Sequence, residues 1–305
     1  MSFLRRLFST SRQSGVPEPA INPAEVEQEN TDRSTPVAVP PSTVEFYTRD
    51  TLIQRFMEIK DMGWVENTQR GNDGGPGNIL ESLLGIPTNN IPIPDASGWE
   101  LKTQRKPTTS LVTLSHCEPE PRREKIIPRL LIPNYGWPHD EAGIKYPADE
   151  KSFRQTMNAV SYTDRGFKVV VNRELRRIET VFNSAMVAPH HQAWLDSVRA
   201  RVGNLGPLAI TPYWTFNSLY TTVGRKFYNT FFVRYDVKNE NRKQYLHYNE
   251  VWMLKNANID RFIDGIEQGK VYLEYDARTH HNHGTKVRIS PRGIFDMYEE
   301  ATRVI

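Results

Sequence analysis

Apolar residues recur at Phe46, Ile53, Phe56, Met57 and Ile59 across residues 44–62, a spacing that predicts a helix closed by Gly63. A shorter helix is expected at NILESLL, entered through Pro76. The segment GWELKTQ then reads as a short strand, which puts Glu100 and Lys102 on one face and turns Leu101 into a core. A second strand, SLVTLSH, should pair with it. Residues 122–165 look irregular and are rich in Arg, Pro and Tyr. Beyond them FKVVVNR and RIETVFN fit a hairpin. HHQAWLDSVRARVG reads as a polar helix, and KFYNTFFVRYDVKN pairs with KQYLHYNEVWML around a turn at Asn239 to Arg242. IDRFIDGIEQG is a helix leading to the strand KVYLEYDAR, a histidine-rich loop, the strand TKVRIS and a final helix over PRGIFDMYEEAT. Hairpins alternating with helices indicate an α+β protein.

The first 44 residues break the pattern. They hold six prolines and few aromatics. Such a segment cannot bury enough apolar surface to offset its ordering entropy, so it is read as a disordered tail. Its start, MSFLRRLFSTSRQS, has three arginines and no acid. That resembles an organellar transit peptide and is too polar for a secretory signal; a basic tail is the preferred reading. The remaining length suits one large domain or two modest ones. A net charge of +3 permits nucleic-acid binding without demanding it. The single cysteine, Cys117, excludes an internal disulfide framework and a cysteine-rich zinc site, with a reducing compartment as the default. No apolar run is long enough for a membrane-spanning helix.

Candidate chemistry gathers between residues 71 and 104. Asp95 sits in a turn between Pro94 and Ser97 that feeds the Glu100 strand, and Glu81 lies on the short helix. Three acids and a lysine brought together can hold Mg²⁺ against a phosphate. The lysine can orient the attacking water or stabilise the transition state. A bare Glu-x-Lys arises about once by chance in a chain of ordinary composition, so the pair alone is weak. The wider context carries more. It runs Arg70-Gly71-Asn72-x-Gly74, Leu80-Glu81-x-Leu83-Leu84, Pro94-Asp95, Glu100-Leu101-Lys102-Thr103 and Ser110-Leu111-x-Thr113-Leu114. Further on come Tyr213-Trp214-x-Phe216-x-Ser218-Leu219, Gly265-Ile266-Glu267-x-Gly269 and His281-Asn282-His283-Gly284-Thr285-x-Val287-Arg288.

Together these segments resemble the MvaI/BcnI restriction endonuclease family, over about residues 45–305. The C-terminal motif there usually reads His-Asp-His-Gly-Thr-x-Phe-Arg, so Asn282 and Val287 depart from it. The resemblance implies a PD-(D/E)XK nuclease: a mixed sheet flanked by helices, with a catalytic lobe at about 45–165 and a DNA-recognition lobe at about 166–305. It implies a Mg²⁺-dependent, monomeric, cytoplasmic type II endonuclease that cuts double-stranded DNA at short sites. Asp95 would be the central metal ligand and Glu100 would complete the shell. Glu81 would bind a second metal or its water, and Lys102 would position the attacking hydroxide. Two alternatives remain: a MutH-like DNA-nicking repair endonuclease that depends on a partner protein, and a catalytically silent DNA-binding module.

His280, His281 and His283 form the other conspicuous cluster. Zinc ligation is weakened by the lack of nearby thiolates, and exposed histidines without a role are possible. The preferred reading is DNA contact by His281, His283, Thr285 and Arg288, which can donate to phosphates or read base edges. His190 and His191 are assigned to the surface. Arg70, Arg105, Lys106, Arg122, Arg123, Lys125 and Arg129 flank the acidic centre and can neutralise phosphates.

Overall fold

Thr48 opens the first helix, α1 (Arg49–Asp61), through a reciprocal capping box with Thr51. The helix buries Leu52, Phe56 and Ile59, while Met57, expected on the same face, is exposed. Its chain leaves through Gly63 at φ +71°, the left-handed conformation expected of a residue just past a helix end. The computed structural model describes residues 47–72, 74–86, 98–224 and 227–305. Phe46, Asp95 and the tail 1–44 lie outside them.

The strand β1 (Val65–Glu66) is followed by α2 (Gly75–Leu83), which carries Pro76 in its first turn as expected. Next come β2 (Glu100–Arg105) and β3 (Val112–His116). The stretch expected to be irregular is ordered. It forms a π-helical turn at Ile127–Leu131, α3 (Ile132–Tyr135), β4 (Trp137–Pro138) and β5 (Lys151–Met157). The alternation in β5 was obscured by Gln155, a polar residue on the buried face between Phe153 and Met157. The expected hairpin is β6 (Arg165–Asn172) with β7 (Arg177–Val187), followed by α4 (Gln192–Val202). β8 (Tyr213–Thr215) and α5 (Phe216–Leu219) precede the long pair β9 (Asn229–Glu240) and β10 (Lys243–Ala257). The chain ends with α6 (Ile259–Glu267), β11 (Val271–Arg278), β12 (His281–Asn282), β13 (Lys286–Ile289), α7 (Gly293–Asp296) and β14 (Tyr298–Arg303). The last helix is therefore one turn long, and the residues after it form a strand on β10.

Three sheets result. One has the order β1-β10-β9-β2, with β14 also on β10. A second runs β3-β13-β11-β5-β4, with β12 on β11, and the third is β6-β7-β8. β2 lies parallel to β9, and β3 pairs with β13, so the expected pairing of GWELKTQ with SLVTLSH does not form. Both large sheets draw strands from either side of residue 165. A division into lobes there divides the sequence, not the sheets. Leu101, Phe231 and Val233 face a core shared with α1 and α2. Phe232 and Leu254 face the larger core, built with the other sheets and α6. The strand β2 thus has one face sealed by helices and the other directed toward Phe232.

Candidate active site and histidine loop

Alternation along β2 puts Glu100 and Lys102 on the Phe232 side. In the parallel register Glu100 stands beside Thr230 and Lys102 beside Phe232. Glu100 is fully buried, and Lys102 Nζ lies 2.5 Å from its Oε1. The ammonium also sits 5.1 Å above the centre of the Phe227 ring. A buried carboxylate is costly unless a cation meets it, and here one does.

Two residues near Glu100 escaped sequence reasoning. Tyr298 donates to Thr230 Oγ1, or accepts from it, at 2.7 Å. Burial, with the Glu100 charge added, pushes its phenol well above the ordinary value and outweighs the opposing bond to Thr230. Tyr298 stays neutral and can only share a proton, not lose one. It was missed because its segment reads as helix and lies far from Glu100 in sequence.

Glu81 sits on α2, half-buried. It lies one turn beyond Gly77, whose missing side chain would fall 3.6 Å from Thr103 Oγ1. Positions four apart share a helix face, so α2 presents Glu81 along the side that packs on β2. Tyr248 anchors the helix entry by donating to Pro76 O at 2.6 Å. The structure thus brings Glu100 and Lys102 into contact and holds Glu81 on the adjoining helix. Asp95 lies outside the described residues. A carboxylate already stripped of water offers hard oxygen donors of the kind that suit a divalent cation, while Glu81 comes from the helix on the Thr103 face of the same strand. Among the described residues, the His, Asp and Glu side chains close enough to share an ion are Asp164, His190 and His191. There Arg165 Nη1 already lies 3.1 Å from His191 Nε2.

The second cluster is a tight hairpin at the end of β11. His281 and His283 are exposed, their rings 4.3 Å apart and edge to face. Partial burial holds the His283 imidazole below its usual range, against the opposing pull of Asp276. That direction favours the neutral ring, which can accept as well as donate. It lines a cleft of about 320 Å³ with Tyr146, Arg154, Asp276 and Arg278. His280 instead turns to the buried Glu150, 3.8 Å away. Arg288 is partly committed: Nη1 donates to Glu274 at 2.7 Å and Nη2 to Leu111 O at 3.0 Å. Thr285 is fully buried, and its amide and hydroxyl both donate to Glu118. Its place is beneath the loop, so the hydroxyl does not reach a ligand in this conformation.

A ladder of charges spans the same sheet. Arg154 meets Asp276 at 2.6 Å, Lys286 meets Asp276 at 2.5 Å, and Arg288 meets Glu274. Burial raises the pKa values of both acids, but hydrogen bonds from these cations outweigh it and leave them depressed. Lys106, expected to neutralise phosphate, is engaged by Asn249 at 2.6 Å, with Asp236 and Glu250 nearby. Cys117 is buried beneath the loop, and burial pushes its thiol up, so it is chemically inert.

Residues 53–298 match the MvaI/BcnI restriction endonuclease family. No curated protein matches the chain. Among solved structures, the restriction endonuclease MvaI bound to cognate DNA is similar with a TM-score of 0.67 and 21% identity. That match covers 84% of this chain and 98% of the other. MvaI without DNA gives a TM-score of 0.47 at 20% identity, covering 86% of this chain and 100% of the other. Among the described residues no helix is long and apolar enough to cross a membrane. With the family match spanning most of its length, this chain belongs to the MvaI/BcnI restriction endonuclease family.

Proposed function

We propose that this protein hydrolyses phosphodiester bonds of double-stranded DNA as a monomeric, Mg²⁺-dependent type II endonuclease in the cytoplasm, using Asp95, Glu100, Glu81 and Lys102. Family membership makes it a DNA-cleaving, sequence-specific restriction endonuclease. The observation that supports the residue assignment is the buried Glu100 carboxylate with the Lys102 ammonium 2.5 Å away. Asp95 and Glu100, with Glu81, would supply the oxygen ligands of a divalent ion. When bound, Mg²⁺ would withdraw charge from the scissile phosphate and ease deprotonation of water.

The chain's own residues do the positioning. Glu100 holds the Lys102 side chain in place, and Phe227 beneath it limits where the ammonium can swing. The ammonium then donates to the attacking water or to a phosphate oxygen, where negative charge grows in the transition state. Phe232 and the neighbouring core exclude water from the far side of the pair, which strengthens both interactions.

His281 and His283 would read base edges, with Arg288 serving base or phosphate. Thr285, being buried, supports the loop from beneath. A neutral His283 can meet either a donor or an acceptor in a groove. To test the assignment, purified protein is incubated with mixed plasmid and phage DNA, with Mg²⁺ or with EDTA, and the fragment ends are sequenced. The proposal expects discrete fragments with one shared end sequence in Mg²⁺ only. Random ends, or cutting in EDTA, would overturn it.

A further inference from the structure

Glu118 lies two residues beyond the end of β3 and is not part of any strand. Its backbone is fixed on both sides. Cys117 N donates to Thr285 O at 2.8 Å, and Trp214 Nε1 donates to Cys117 O at 2.7 Å. Glu120 exchanges two backbone bonds with Tyr213, at 2.7 and 3.0 Å. So anchored, the Glu118 carboxylate faces the base of the histidine loop. Thr285 N donates to Oε1 at 2.8 Å and Thr285 Oγ1 to Oε2 at 3.3 Å. Asn282 Nδ2 approaches Oε1 at 3.5 Å, a long contact but an attractive one.

The orientation of the Asn282 amide is set from both ends. Its Oδ1 accepts from Gly284 N at 2.9 Å, which leaves the NH₂ group on the side of Glu118. Gly284 itself, at φ +85°, passes so close that a Cβ would lie 3.0 Å from His116 Cδ2 and 3.6 Å from Glu118 Oε1. The loop therefore has little room to adopt another shape while the carboxylate holds it. His281 and His283 lie on either side of Asn282, and their edge-to-face packing depends on the same backbone.

We infer that Glu118 is the positioning residue that shapes the histidine loop, and that it requires an amide rather than a carboxylate at position 282. The inference rests on the loop's reading as a DNA-facing element. Glu118 gathers donors from both arms of the loop and does not itself touch DNA. A carboxylate at 282 could still accept from Gly284 N, but it would set two negative charges about 3.5 Å apart. The loop would then open at its base.

The test has two arms. The first needs no DNA: amide hydrogen exchange of the full chain, read at Thr285. Hydrogen bonds to a charged group contribute on the order of tenfold to a hundredfold, so Glu118→Ala should speed that exchange by roughly tenfold or more. The second arm is a double-mutant cycle on the ratio of cleavage at the preferred site to cleavage at one-base variants. Asn282→Asp should lower this ratio about tenfold, within the coupling range of contacting pairs. Adding Glu118→Gln should restore most of it, because it removes the second negative charge while the glutamine oxygen still accepts from Thr285 N and its amide can donate to the Thr285 hydroxyl. Melting temperatures of the single and double variants should stay close together, which a merely structural role would not combine with rescue. Unchanged Thr285 exchange in Glu118→Ala, or an Asn282→Asp defect that persists in the Glu118→Gln background, would overturn the inference. Wild-type protein that cuts without site preference, with Thr285 exchange still dependent on Glu118, would refute the DNA-facing reading and leave the clamp itself standing.

Discussion

Lys102→Met removes the ammonium from the Glu100 pair while keeping an apolar stem over Phe227. Glu100 is fully buried, and the contact it loses is 2.5 Å long. Removing one partner of a buried pair typically costs about 3–5 kcal/mol. Lys102 keeps 21% of its side chain exposed, so water screens part of the interaction and the lower end, about 3 kcal/mol, applies. At roughly 2–4 °C per kcal/mol for a domain of this size, the melting temperature should fall by about 6–12 °C in EDTA. Removing both charges leaves no stranded ion. The double variant Glu100→Gln/Lys102→Met should therefore regain most of the loss. Mg²⁺ should restore the single variant too, since an ion present at 100 times its Kd adds about 2.7 kcal/mol. Thermal unfolding followed by circular dichroism, in EDTA and in Mg²⁺, measures all three. A Lys102→Met protein that melts with the wild type in EDTA, or a double variant no better than the single, would refute the argument that the pair exists to neutralise a buried carboxylate.

Other consequences can be measured separately. Glu274 and Asp276 have folded-state pKa values depressed by their cations. Their contribution is complete above the unfolded values near 4 and is lost as pH falls through the lower folded values. Denaturant unfolding should thus show stability dropping below about pH 4, and less steeply in Arg154→Ala/Lys286→Ala. His281→Ala and His283→Ala should reduce cleavage at the preferred site more than non-specific DNA affinity. Equal losses in a binding and cleavage comparison would count against base reading. Arg288→Ala should relax site preference by about 1–3 kcal/mol if it reads guanine, or weaken binding uniformly with a shallower salt slope if it clamps phosphate. Tyr298→Phe loses the bond to Thr230 and should cost about 1 kcal/mol without abolishing cleavage, as judged by melting and single-turnover rates.

Local pattern exposed much of this fold. Period-two alternation found β2, β6, β7, β9, β10, β11 and β13, and Pro76 marked the entry to α2. Pairing was less legible. Neighbouring strands often pair, yet β2 crosses to β9 and β3 to β13, choices made by cores that a linear reading cannot see. The segment after Gly293 has helix-forming Glu, Met and Ala residues. The free edge of β10 and the burial of Tyr298 override that propensity and make it a strand. At the site, the Glu100–Lys102 contact was legible because two residues on one strand face must be neighbours. Thr230, Tyr298 and Phe227 were not, since they reach the pair only through long-range pairing. For the histidine loop, sequence gave the residues but not their division of labour. Thr285 is buried and serves Glu118, whereas His281 and His283 are exposed.

Single-turnover cleavage of a defined duplex by four proteins tests the central claim most directly. Wild type, Asp95→Ala, Glu100→Gln and Lys102→Met are compared in Mg²⁺ and in EDTA, with DNA affinity measured in parallel. The account expects cutting by the wild type in Mg²⁺ alone. Each variant should fall by about 10²–10³-fold, of the order seen when a transition-state donor is removed, while affinity stays near that of the wild type. Wild-type rates from Asp95→Ala or Lys102→Met would contradict it.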